Sequence, residues 1–337
     1  MRRDSIAVLV ARGFGSAAAT WKALLLVLLL NVGLACALSA PFSGTLHDAL
    51  DRNPRQDVLM SGPDSTFWSH FSRKHPDVTH DLDSWNDLLD GTGVKGRFFS
   101  LSGVAGSAVS LGLLSALLAA LASGGFAGRF GADRDRASLA AFGSDAGRFA
   151  FSSLILGLVS IAGILAAYRF VFVATGELYE ATELRYEWEA IALSLARLVA
   201  FLLVAGVVRL VVLYARASMG ISRNGNPALA LASGLGFVSR RIGRAMGLEI
   251  LFGGAALVPL VAWAALAPAW DGTDSIRLAL LVLAGQLVVL FRIAARVAHL
   301  GAASAFMRRA AEAARPVPEK LEPPHPSASV LVAGPLG

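Results

Sequence analysis

The chain has 337 residues, of which 55% are hydrophobic and 16% charged, with a formal net charge of +6. A charged fraction so far below the roughly 25% of soluble domains points away from water as the solvent. The single cysteine, Cys36, excludes an intrachain disulfide and the paired-cysteine metal motifs, so neither redox chemistry nor a bound cofactor is expected.

Residues 1–22 read as a cytoplasmic, interfacial lead-in helix, with Ile6, Val8, Leu9 and Val10 between arginines. The run 23–40 (Ala23 to Ala40) is the first of six that meet or approach the ~20 apolar residues needed to cross a hydrocarbon core about 30 Å thick. Small residues at Ala37, Ser39 and Ala40 fit a cleavage site loosely, but the long, partly amphipathic leader before the run argues for an uncleaved span. The string Gly33-Leu34-Ala35-Cys36 lacks the leucine that a lipoprotein signal carries three residues before its cysteine.

Residues 41–97 are rich in Asp, Pro and Gly and too few for an independent core, so they are expected to form a small periplasmic cap. Residues 98–315 hold the remaining spans: Phe98 to Ala122, Ala150 to Ala174, Ala190 to Tyr214, Gly247 to Ala269 and Ile276 to Ala298. Basic amphipathic stretches at about 133–148 and 226–244 precede the third and fifth spans, the second opened by Asn226-Pro227, a pair suited to N-cap and first helical position. Each ends on a Gly-Arg step, Gly147-Arg148 and Gly243-Arg244, which suggests a repeated unit of span, interfacial helix and span. The last helix is expected to run on to about Arg315, and residues 316–337 to be a disordered, Pro-rich cytoplasmic tail.

Unbroken apolar runs without the alternation of barrel strands satisfy the backbone in lipid only as helices. The expected fold is therefore an all-α, polytopic membrane helix bundle of six transmembrane helices, with interfacial amphipathic helices and a small periplasmic cap. Every loop on one side is basic, from Arg2 and Arg3 through Arg129, Arg134, Arg136 and Arg148 to Arg308 and Arg309. The other side carries most of the acids, among them Asp77, Glu177, Glu180 and Asp271. Lys and Arg near span ends set orientation, so both termini are expected in the cytoplasm and the chain in a plasma (inner) membrane. Basic residues flank spans rather than cluster on a polar face, so the expected partners are the bilayer and its anionic headgroups, not nucleic acid.

The strings SLAAFGSDAGRF, GFVSRRIGRAMG and QLVVLFRIAARVAHLGAASAF carry a topology-level resemblance. With six spans, a periplasmic loop after the first, and basic interfacial helices before the third and fifth, the plan is similar to that of six-span bacterial inner-membrane protein families. The resemblance covers most of the chain and implies topology alone, because those families bring no established activity or catalytic residues.

Few side chains suggest chemistry. His70, His75 and His80 recur at five-residue intervals beside Asp77, Asp81 and Asp83. They are metal-ligand types, yet a zinc-protease helix needs two His at i and i+4 with a Glu beside the first, so solvated loop residues are the simpler reading. Arg197 lies eight residues into its span, roughly 12 Å deep by helical rise, and Gln286 is at comparable depth. The pair is expected to face inward as polar glue, or as the lining of a small polar cavity. Arg292, Arg296 and His299 share a face of the last helix, and with Arg240, Arg241 and Arg244 are expected to meet lipid headgroups. Glu249, where the fifth span begins, is placed to neutralise Arg209 or Arg244.

No Asp or Glu falls mid-span, and no P-loop or nucleotide fingerprint lies in a strand-loop-helix setting. Proton-coupled transport, intramembrane proteolysis and ATP-driven transport are disfavoured accordingly. Small residues at Ser102, Gly106 and Ser110, and at Ser153 and Gly157, read as helix-packing positions. The leading expectation is a non-enzymatic envelope scaffold or accessory protein acting on lipids or membrane-protein partners. A permease or channel for a small solute or lipid, and an intramembrane or periplasmic enzyme, are the alternatives.

Overall fold

The computed structural model describes residues 5–51, 73, 104–131, 138–173, 175–176, 187–266 and 275–314. Its elements are α1 (Ile6–Ala19), α2 (Trp21–Asp51), α3 (Val104–Gly131), α4 (Leu139–Tyr168), α5 (Glu187–Ser222), α6 (Pro227–Leu266) and α7 (Ser275–Ala314), with a π-helical turn at Arg169–Val173 closing α4. Among the described residues there is no strand. Five helices are long and apolar enough to cross a membrane, and α1 with α2 makes a sixth candidate bent by 71°. The cap at 41–97, apart from the helical backbone to Asp51 and at Arg73, and the tail beyond Ala314 lie outside the described residues.

Of the two basic stretches expected to be separate interfacial helices, 226–244 is set off from the segment that follows by a break at Arg241, whereas the described part of 133–148 is continuous with the helix that follows. From Leu139, capped by Ser138 accepting from the Ala141 amide at 3.1 Å, α4 runs unbroken through the third span. By contrast α6, Pro227 to Leu266, is two helical segments joined at Arg241, where φ −140° and ψ 30° leave the helical region, close to the boundary expected at about residue 244. Asn226 caps α6 as its sequence implies, its Oδ1 accepting from the amides of Ala228 at 3.0 Å and Leu229 at 3.3 Å. The described part of α3 holds an apolar window at Leu114–Gly131.

The helices build two storeys. In one, large apolar side chains face outward: Trp188 to Val204 on α5, Ile250 to Leu266 on α6 and Ile276 to Phe291 on α7. Each of these segments is about 25 Å long at 1.5 Å per residue, close to the hydrocarbon thickness of a bilayer. The other storey is densely packed. Its core joins Leu9 and Ala17 of α1, Phe126 of α3, Phe142 of α4, Leu210 and Tyr214 of α5, Val238, Leu248 and Phe252 of α6, and Ala298, Ala302 and Phe306 of α7. Leu229, Leu235 and Ile242 are its exposed large apolar side chains on α6.

Small residues let backbones meet in this second storey. The residue at Gly13 of α1 rests on the Ala298 carbonyl of α7, where any Cβ would collide. Gly131 of α3 and Gly220 of α5 likewise cross backbone to backbone, each leaving no room for a side chain. Ser153, singled out as a packing position, is fully buried against Gly124 of α3. Thus α1, the expected interfacial lead-in helix, docks on α7.

Candidate functional site

The charged residues of α5, α6 and α7 gather where the apolar belt stops. On α5 the exposed apolar run ends at Val204 and Arg209 follows; on α6 it begins at Ile250, directly after Glu249; on α7 it ends at Phe291, directly before Arg292. Three helices therefore change from lipid-like to charged character at one level. Glu249 holds them together there. Its Oε1 lies 3.5 Å from a terminal nitrogen of Arg209 and its Oε2 lies 3.5 Å from Nδ1 of His299.

The two legs differ in surroundings. Arg209 leaves 55% of its side chain exposed, whereas His299 keeps 8% and Glu249 15%. The His299 ring stacks on Phe252 at 4.9 Å between centroids, and Phe252 in turn contacts Phe14 of α1. Imidazole that donates from Nδ1 to the carboxylate keeps Nε2 as an acceptor, and that buried Nε2 has no hydrogen-bond partner among the described residues. The hydroxyl of fully buried Tyr214 is also without one and lies within electrostatic reach of Glu249.

His299 therefore leaves the lipid-facing stripe expected for it, turning inward while Arg296 is exposed and Arg292 half-buried. The apolar stacking partner Phe252 draws the imidazole in. Arg240 and Arg244 are exposed. Arg241, at the kink, lies over the rings of Phe237 at 5.0 Å and Phe306 at 5.7 Å.

Midway along the α5 segment of the belt, Arg197 turns to the π-helical turn of α4. Its Nε donates to the Val171 carbonyl at 3.3 Å, a terminal nitrogen donates to the Phe172 carbonyl, and the guanidinium lies 5.3 Å over the Phe172 ring. A π-turn leaves carbonyls out of the regular ladder, and the arginine supplies donors for them. Gln286 is half-buried on α7, one residue from Gly285, which packs on Trp263 of α6.

A third polar group ties the ends of α4 and α5. Asp145 lies 3.8 Å from Arg223, the residue with φ 53° that terminates α5, while Arg148 donates to the Arg223 carbonyl at 2.8 Å and Ser152 to that of Gly225. Among the described residues no three metal-ligating side chains converge. His70, His75 and His80 lie outside the described residues.

Arg209 and Glu249 were recognisable in the sequence as neighbours in depth, but the inward turn of His299 had no signal beyond its helical phase. Tyr214, the last residue of the fourth apolar run, carries no sequence signal that ties it to this site. No family model, curated protein or solved structure matches this chain.

Proposed function

We propose that this chain is a multi-pass protein of the bacterial inner membrane, both termini cytoplasmic, that serves as a non-enzymatic scaffold or accessory protein for lipids or membrane-protein partners. In that orientation the dense storey lies on the cytoplasmic side of the belt. One observation carries the reading: three of the charged groups near the spans, Glu249, Arg197 and Asp145, are committed to contacts within the bundle. Glu249 is spent on Arg209 and His299, Arg197 on backbone carbonyls, and Asp145 on Arg223. Groups fixed in this way hold helices at set positions, which is what a scaffold requires.

A permease is the second reading, favoured by the unpartnered Tyr214 hydroxyl and His299 Nε2 beside Glu249. Reconstitution separates the two. The 337-residue chain in sealed vesicles is expected to leave ion and small-solute leakage at the level of protein-free vesicles. A saturable flux that disappears in Glu249→Gln would refute the scaffold reading in favour of the permease.

A further inference from the structure

Ionic contacts at the belt edge leave positive charge over. Arg209 shares Glu249 with His299, and among the described residues neither Arg292 nor Arg296 is paired with a carboxylate. Arg296 nonetheless sits within electrostatic reach of both Arg209 and Arg292, so like charges from α5 and α7 are held near one another. Three guanidiniums and one carboxylate leave a surplus of two positive charges even with His299 neutral. Such a grouping repels itself unless an anion joins it.

Exposure and depth indicate which anion. Arg296 and over half of the Arg209 side chain are open. They stand where the outward apolar segments end, the level of lipid phosphates if that belt is the hydrocarbon layer. From Arg209 an exposed apolar stripe runs back along the same face of α5 through Leu202, Leu198 and Leu195, at helical spacings of seven, eleven and fourteen residues. One leaflet is about 15 Å deep, which spans the rise from Arg209 to about Leu198. Cationic side chains at one end and a chain-length apolar track beneath them match the two halves of one molecule.

We propose that Arg209, Arg292 and Arg296 bind the phosphate headgroup of one anionic phospholipid, with an acyl chain lying on the Leu202–Leu198 stripe of α5. The site rests on the membrane reading above. Guanidinium suits it because its fork can engage two phosphate oxygens. Glu249 is a positioning residue here: it holds Arg209 toward α7, and its own charge stays on the inner side with His299. A free phosphate shares the headgroup chemistry but not the need for an apolar track.

The test uses the full chain in a zwitterionic detergent, titrated with phosphatidylglycerol and read by native mass spectrometry, with phosphatidylcholine and inorganic phosphate as the other arms. Wild-type protein is expected to retain one phosphatidylglycerol. The double variant Arg292→Gln/Arg296→Gln is expected to bind it more weakly by on the order of tenfold, while Arg12→Gln, which removes an exposed charge on α1, binds as wild type. Should the double variant not elute like the wild type, salt titration of the wild type replaces it, and affinity must fall as ionic strength rises. Undiminished binding by a folded double variant, equal retention of phosphatidylcholine, displacement by inorganic phosphate, or indifference to salt each overturns the site. Vesicle flux is a separate readout, so loss of the lipid site and loss of the scaffold reading are told apart.

Discussion

His299 Nδ1 and Glu249 Oε2 stand 3.5 Å apart in a buried setting, while the other oxygen of the same carboxylate meets the exposed guanidinium of Arg209. One acid thus links α5, α6 and α7, but through two contacts of unequal strength. An exposed ion pair contributes about 0–1 kcal/mol, because water screens it. A buried polar contact cannot be replaced by water, and leaving its partner unsatisfied costs about 1–3 kcal/mol.

Double-mutant cycles should therefore rank the two legs. Glu249→Gln and His299→Gln are expected to couple by about 1 kcal/mol or more, and Glu249→Gln with Arg209→Gln by less than that. Thermal unfolding in detergent reads both, and a stronger Arg209 leg would contradict the burial argument.

The kinked helix α6 also makes a local claim. Asn226 accepts from two amides of the first turn, which no other side chain does there among the described contacts. Asn226→Ala is expected to cost about 0.5–2 kcal/mol, and Asn226→Asp or Asn226→Ser much less. Melting temperatures of the three variants check the order.

For Arg197 the chemistry of the π-turn sets the expectation. Two carbonyls, those of Val171 and Phe172, receive donors from one planar group. Lysine offers a single point of charge, so Arg197→Lys should not restore what Arg197→Leu loses, and both should fall about 1–3 kcal/mol below wild type. Recovery of full stability with lysine would mean that charge alone matters at that position.

How much of this was legible beforehand follows from which forces act locally. Apolar run length marked helices long and apolar enough to cross a membrane, because that property belongs to each helix separately, and the Asn226-Pro227 cap was visible because its bonds are made within four residues. The docking of α1 on α7 was not visible: it depends on Gly13 meeting Ala298, nearly the whole chain away, and the same helix read as amphipathic fits a membrane surface equally well. Likewise, the helical phase of Arg292, Arg296 and His299 places them on one side of α7 without saying that Phe252 waits for the imidazole. For Arg197 the expected neighbour was Gln286; its donation to the carbonyls of Val171 and Phe172 was not legible, since the π-turn that exposes those carbonyls has no sequence signature of its own.

The α1 docking gives its own test. Gly13→Leu places a side chain where the Ala298 carbonyl, Ala302 and the Phe252 ring already stand, and overpacking of this kind costs about 1–3 kcal/mol. Released from α7, the helix should be cut faster by trypsin after Arg12, while Gly15→Leu, at a position with open space around it, should leave cleavage unchanged. Equal cleavage rates for the two variants would mean that α1 is not held by this crossing.

The apolar belt makes the last prediction, and it is the one on which the membrane reading stands. Leu202, Leu257 and Leu287 lie on three different helices, each more than half exposed, and water would not tolerate so broad an apolar surface on a monomer. If lipid covers them, single substitutions Leu202→Cys, Leu257→Cys and Leu287→Cys in a Cys36→Ala background should resist a membrane-impermeant maleimide in intact vesicles. Arg12→Cys and Arg240→Cys, exposed in the other storey, should react once the reagent reaches their side. The contrast has a physical basis: a thiol reacts as thiolate, which forms in water and is suppressed in hydrocarbon. Prompt labelling at all three belt positions would place that surface in water, and the lipid site built on it would fall as well.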